Sequence, residues 1–416
     1  MSGPAAGTFD APAVAAGFDL AALDRDFLDD PYPTYRALRE HDPVHRMPDG
    51  SVFLARYADC LAVYRDRRLL SDKTREFGPK YGVGSPLYRH HTTSLVFNDP
   101  PLHTRVRSLL MPAFTPRALT TLQPKLEALV DRLLDRIADK REFDLIADLA
   151  AAVPVQVIGD LLAIPMAERG PLRDWSLAIL GALEPRLSDA QMEQGNRAVT
   201  EFTAYLDALV ADRRRNLVTD GSDVLSTLIA GQGGDTLDRE TLGADELAQN
   251  CIFLLNAGHE TTTNLIGNGV AALLDNPGEL ARLRADPGLI NGAVEEFLRY
   301  ESSNQLGNRR VGERLELAGA VLEPGTYVHI GIGAANRDPA AFPDPDRLDV
   351  ARSPNRHLAF GSGAHACAGM SLARMEGRVA IGRLVARFPR LERAGAPVRG
   401  GRARFRGFLS YPMRVA

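Results

Sequence analysis

Cysteine is scarce in this chain: Cys60, Cys251 and Cys367 are the three among 416 residues. They lie far apart and are odd in number, which excludes a disulfide framework and points to a reducing compartment. Basic surplus is also missing. The formal net charge of −4 argues against a nucleic-acid surface, which needs a clearly basic domain. Residues 1–10 have no cationic segment followed by an apolar one, so no secretory signal is visible. No apolar run is long and clean enough to span a bilayer. The longest, 145–166, is interrupted by Asp148, Pro154 and Asp160, and reads as a buried helix and turn. Internal repeats, low-complexity blocks and long linkers are absent too. These absences leave a soluble, cytoplasmic globular protein without a membrane anchor and without a nucleic-acid partner.

Helical spacing dominates what is present. Residues 31–40, 117–140, 188–215, 244–274 and 291–300 carry apolar side chains three and four apart, the period of a helix with one buried face. Strand signals are short. Residues 44–56 read as a hairpin around Pro48-Asp49-Gly50, and 315–332 alternate around Glu323-Pro324-Gly325. The expected fold is mainly α, a large helical body with small sheets. One domain is expected over 31–416, behind a partly flexible extension at 1–30. Segment 72–97 has little periodicity and holds Gly78, Gly82, Gly84 and Pro86; it reads as a binding loop or a plain surface excursion.

Chemistry concentrates in four places. The first is Phe360-Gly361-Ser362-Gly363-Ala364-His365-Ala366-Cys367-Ala368-Gly369, which feeds into a helix at 370–388. A cysteine there has backbone N–H groups and a positive helix end beside it, favouring the thiolate. The small neighbours leave room for a flat, bulky partner, as in a haem held through sulfur. A buried structural cysteine beside a turn is the bland alternative. The spacing of Phe360, the three glycines, His365 and Cys367 favours the haem.

The second place is Ala257-Gly258-His259-Glu260-Thr261-Thr262, in the middle of the longest helical stretch. Threonine hydroxyls there can bond to carbonyls one turn back and bend the helix, opening a groove. A glutamate beside them can relay protons; a packing seam is the alternative. The zinc motif His-Glu-x-x-His is excluded, because position 263 is Thr263. Third, Glu296 and Arg299 sit three apart on one helix face, and Arg337 would complete a buried network if it returned to Glu296; an exposed ion pair of little weight is the alternative. Fourth, His103 and Arg107 lie four apart after Asp99-Pro100-Pro101, a suitable helix start, and offer an anion two donors. A solvated polar face is the alternative.

With these four islands in this order, the chain resembles the cytochrome P450 family from about residue 31 to its end, in the form of a soluble bacterial member. The resemblance implies a haem b with Cys367 as proximal ligand and O₂ as cosubstrate. Phe360, Gly363 and Gly369 would shape the haem loop, and His103, Arg107, Arg310 and His365 would hold the propionates. Glu260 and Thr261 would be the acid–alcohol pair that delivers protons. Glu296, Arg299 and Arg337 would form the structural network. The implied reaction is monooxygenation, hydroxylation or oxidative demethylation, of a small hydrophobic or aromatic molecule.

With no flavin or iron–sulfur segment after Ala416, electrons are expected from a ferredoxin and its NAD(P)H-dependent reductase, received by a monomer. Arg374 and Arg378, one turn apart on the helix after Cys367, read either as a dock for an acidic partner or as an ordinary solvated or packed arginine pair. Family members that use peroxide directly typically lack the acid–alcohol pair, which counts against a peroxygenase; a non-catalytic haem sensor has no use for that pair. The substrate would meet segment 72–97, the helices around 167–215, Phe253 and Ala257, and Ser302 and Leu306. The basic residues Arg75, Lys80, Arg89, His90 and His91 raise the idea of a carboxylate anchored from 72–97, against the plainer reading of an exposed basic loop.

Overall fold

The computed structural model describes residues 9–216, 224–231 and 242–415. Helices dominate it, and the longest, Ala244–Asp275, runs through the centre with most of its side chains buried. A helix buried on all sides belongs inside a large body, and this one takes polar side chains such as Asn250, Asn256, His259 and Glu260 in with it. Its start is fixed by the Gly243 N–H, which donates to the Glu246 carboxylate at 2.9 Å. Its end coincides with Asn276-Pro277, where the proline opens the next helix.

Around this centre pack the helices Pro116–Lys140, Ala152–Leu161, Leu172–Gly181, Asp189–Arg215, Ile290–Tyr300 and Met370–Arg387. Capping sets several boundaries. The Thr115 hydroxyl accepts from Ala118 N–H ahead of Pro116, and Ser188 exchanges bonds with Gln191 in a capping box, satisfying donors that a helix start leaves open. No helix among the described residues is long and apolar enough to cross a membrane.

A five-stranded sheet lies at one side, in the order Val44–Arg46, Val52–Leu54, Tyr327–Gly331, Leu306–Val311, Leu69–Leu70. The expected hairpin at 44–56 is there, with Val44 opposite Leu54. The second hairpin turns earlier than its sequence suggests. Leu315 pairs Leu322 around Ala318-Gly319, whose φ values of 53° and 79° form the two-residue turn that matches strand twist. Glu323-Pro324-Gly325 makes a separate turn that leads into Tyr327–Gly331.

Residues 1–8 lie outside the described residues. Phe18 and Phe27 are buried with Tyr35, Phe53, Leu306 and Ala403, so residues 9–30 share a core with the sheet. Segment 72–97 is helical, as Thr74–Tyr81 and Pro86–Thr93 with a turn at Leu95–Phe97. Two eight-residue helices are too short to register as periodicity, and the positive-φ glycines Gly82 and Gly84 between them gave the look of a loop.

Candidate functional site

The loop 360–369 is tied tightly to itself. Cys367 N–H donates to the Phe360 carbonyl at 2.9 Å, and Gly361 N–H to Leu358 at 2.8 Å. Gly361 and Gly363 take φ of 64° and 72°, a region costly for other residues. At Gly363 the space is closed as well, since a Cβ would stand 2.3 Å from the Tyr64 carbonyl oxygen. The loop is thereby pressed onto the helix Tyr57–Arg65. At Gly369 the nearest atom to a built Cβ, on Phe114, is 3.9 Å away, so this glycine leaves open room.

Cys367 is only partly buried by surface area, yet protein surrounds its sulfur. Burial pushes the thiol up, while the Gly369 N–H, Arg107 and Arg374 pull the other way without prevailing. Desolvation is the largest influence on the sulfur. Arg107 also donates to the Ala366 carbonyl at 2.9 Å.

Arg374 and Arg378 are engaged within the protein. Arg374 grips Glu295 at 2.7 and 2.8 Å and lies 4.8 Å over the Phe360 ring, and Arg378 donates to Asn291 at 3.2 Å.

A second cluster joins elements far apart in sequence. The His103 and His365 rings lie 3.9 Å apart, and His365 Nε2 is 3.8 Å from Asp99. Burial would raise Asp99, but His365 and the N–H groups of Ser71 and Asp72 hold it down at about 2. Burial, then the charges of His365 and Arg107, lowers His103 to about 4, and its Nε2 has no partner.

Arg309, not Arg310, bears on this cluster. Arg310 turns to Asp72 and Glu76, at 3.8 and 3.5 Å. Successive side chains of a strand point to opposite faces, so adjacent arginines cannot share one site. His103, Arg107, Arg309 and His365 form a donor set that fits the carboxylates of a haem, with the orphaned His103 Nε2 among them.

On the central helix, Ala257 is exposed in the midst of buried neighbours. The Thr261 hydroxyl donates to its carbonyl at 2.7 Å, the back-bond that loosens a helix. Glu260 is buried, receives Arg402 at 2.6 Å, and has one carboxyl oxygen with no partner. Burial lifts it to about 7 against the lowering effect of Arg402. Gly258 and Gly267 belong to packing; a Cβ on them would stand 2.8 Å from Ile158 and from Ile146. The sequence reading missed Arg402, which lies 142 residues from its partner with no motif around it.

Glu296 and Arg299 are fully buried and joined by two bonds of 2.7 Å. The third member of the network is Arg352, whose Nε lies 3.1 Å from both Glu296 oxygens. Asn355 and the Asp349 N–H add bonds of 3.0 and 2.9 Å. Arg337, the expected member, donates to the Tyr300 carbonyl and to Asp346. Both arginines come from turn-rich chain, where no period indicates direction.

Phe253 is half-buried and Ala257 open, as a lining requires. Ser302 and Leu306 are not. Ser302 is buried between the Leu298 carbonyl and Asn336, and Leu306 packs in the N-terminal cluster. The bases of 72–97 are largely spent. Lys80 donates to the Glu184 carbonyl and Arg89 to Asp245, while His90 and His91 are buried and lowered by that burial.

The chain was compared with known proteins. A family model described as cytochrome P450 matches residues 183–395. The biotin biosynthesis cytochrome P450 of Bacillus subtilis (strain 168) is 36% identical over 373 residues, covering 89% of this chain and 92% of that protein. Among solved structures, P450BioI in complex with hexadec-9Z-enoic acid ligated acyl carrier protein superposes with a TM-score of 0.88 at 34% identity, covering 94% of this chain and 99% of that one. The myxobacterial cytochrome P450 CYP267B1 in complex with myristic acid gives 0.86 at 36% identity, covering 94% and 98%. By fold, by sequence and by the arrangement of its polar clusters, this chain belongs to the cytochrome P450 family.

Proposed function

We propose that this monooxygenase holds haem b through Cys367 and oxidises a C–H bond of a small hydrophobic or aromatic substrate, by hydroxylation or oxidative demethylation. The observation that carries the reading is the Cys367 loop, pressed onto Tyr64 by Gly363, with Arg107 donating to the Ala366 carbonyl and the Gly369 N–H bonded to the Cys367 sulfur. Bound there, the haem supplies O₂ activation, with two electrons delivered by separate proteins. Class likeness points to a ferredoxin and its NAD(P)H-dependent reductase as that source.

The chain's own residues do the rest. His103, Arg107, Arg309 and His365 would hold the carboxylates of the haem. The Gly369 N–H, Arg107 and Arg374 temper the charge on sulfur. Glu260, lifted to about 7, is poised to gain and lose a proton near neutrality, the condition for general acid–base work. Thr261, the next residue, carries a hydroxyl that would pass the proton onward. Phe253 and Ala257 border the substrate. Two of the similar structures hold a fatty acid or a fatty-acyl chain, which supports a substrate with an extended apolar body.

Cys367→Ser tests the ligand assignment. The ferrous carbonyl complex should lose its thiolate-type absorption band; an unchanged band refutes the assignment. Product formation with NAD(P)H, ferredoxin and reductase, compared with peroxide alone, tests the electron route.

A further inference from the structure

Lys73 is 1% exposed and its ammonium has no hydrogen-bond partner. Its one neighbour of note is the Tyr327 ring, 4.7 Å below Nζ. Burying an ammonium without an acceptor is costly, so the group invites an account. Tyr327 pairs Arg310 and His329 pairs Asn308 in register, which puts Tyr327, His329 and Arg310 on one sheet face and Arg309 on the other. Lys73, over the Tyr327 ring, therefore stands on the Arg310 face, although the Arg309 charge reaches it from the other.

Arg404 completes the group from the chain's last quarter. Its charge bears on Lys73, Tyr327, His329, Tyr81 and Lys80. It donates to the Leu306 carbonyl at 3.1 Å, but its Nε is buried without a partner. His329 Nδ1 and Ser71 Oγ are orphaned as well.

The acids nearby do not balance these cations. Glu184 accepts the Ala403 and Arg404 backbone N–H groups. Glu76 and Asp72 face Arg310, and Glu76 is also the acid nearest in effect to Lys73. Asp49 accepts from Ser51 and bears on His329. Glu76 is opposed at Lys73 by the charges of Arg309, Arg404 and Arg310, so cations outnumber acids there, and neither Lys73 Nζ nor Arg404 Nε has a hydrogen-bond acceptor.

We propose that Lys73 and Arg404, over Tyr327 and His329, form a subsite for the carboxylate of an apolar organic acid bound as substrate. The proposal rests on the monooxygenase reading above and names its substrate class. It also relocates the carboxylate idea from Arg75, Lys80, Arg89, His90 and His91, most of which are engaged elsewhere, to a lysine at the start of the same segment. Arg404 is half-buried and is the member a ligand meets first. Lys73, lowered to about 7 by burial, takes up a proton as the anion arrives.

The test uses the haem-loaded protein and paired ligands, the straight-chain acids from hexanoate to hexadecanoate against their methyl esters, read by the low- to high-spin shift. At least one acid should bind tenfold or more tightly than its ester. Lys73→Met and Arg404→Leu should each bring the pair within about twofold, while Lys73→Arg should keep the preference. If in no pair the acid binds more tightly, or if the preference survives both neutral variants, the proposal fails. Haem loss from Lys73→Met with the acid preference intact would assign the ammonium to a propionate and also overturn it. The thiolate-type carbonyl band, recorded on the same samples, reports separately on the haem reading.

Discussion

Arg402 Nη1 donates to Glu260 Oε1 at 2.6 Å, joining the C-terminal loop to the centre of the longest helix. The pair sets when the buried acid ionises. Burial raises Glu260 to about 7, and Arg402 alone among its neighbours pulls it down. Glu260 thus carries a proton below about pH 7 and loses it above. Arg402→Met removes the lowering charge, so the ionisation should move to higher pH. Product formed per NAD(P)H consumed, followed across pH, should shift its inflection alkaline; a profile that stays in place means that Glu260 does not control proton delivery.

Thr261 binds the Ala257 carbonyl rather than a partner outside the helix. Thr261→Ala should leave NAD(P)H consumption running while product falls and peroxide accumulates. A positioned proton-transfer group contributes about a hundredfold or more, so a loss of coupling of at least about tenfold is expected, with Thr261→Ser retaining most of it. Wild-type coupling in Thr261→Ala would remove the residue from the relay.

The two adjacent arginines of the Leu306–Val311 strand offer an internal control. Arg309 bears on His103 and His365, whereas Arg310 faces Asp72 and Glu76. Arg309→Gln should speed haem transfer to an acceptor apoprotein by about tenfold, the worth of one charge-assisted bond of about 1.5 kcal/mol. Arg310→Gln should leave that rate near wild type. The reverse order would restore Arg310 to the propionates.

The Glu296 network predicts where coupling lies. Removing one member of a buried charged set costs about 3–5 kcal/mol, so Glu296→Gln and Arg352→Ala should both be strongly destabilised in urea. A double-mutant cycle between them should give a coupling above about 1 kcal/mol, while one between Glu296 and Arg337 should stay within about 0.5 kcal/mol. Equal couplings would mean that Arg337 reaches the acid after all.

Much of this was legible in the residues themselves. The long helices could be read because a buried stripe repeats every three or four residues, and five of them begin and end within a residue or two of their expected limits. The haem loop was legible because glycines at fixed spacing carry a backbone demand, and Gly363 meets Tyr64 as that demand implies. The helices of 72–97 escaped notice, since two turns are too few to show a period.

Local pattern alone therefore determined the helical class, the family motifs and the placing of Cys367, Glu260, Thr261, Glu296 and Arg299 on their elements. Which partners those residues meet was a matter for the tertiary structure. Arg402 reaches Glu260 across 142 residues, Arg352 displaces Arg337 at Glu296, and strand alternation sends Arg309 to the His103 side and Arg310 away from it. Lys73 became visible only when the sheet, the helix Thr74–Tyr81 and the Arg404 loop closed around an ammonium with no acceptor. The physical reason is common to all four. A charge declares its identity in the sequence, but its energy depends on distance and on exclusion from water, and both are set by chain segments far away.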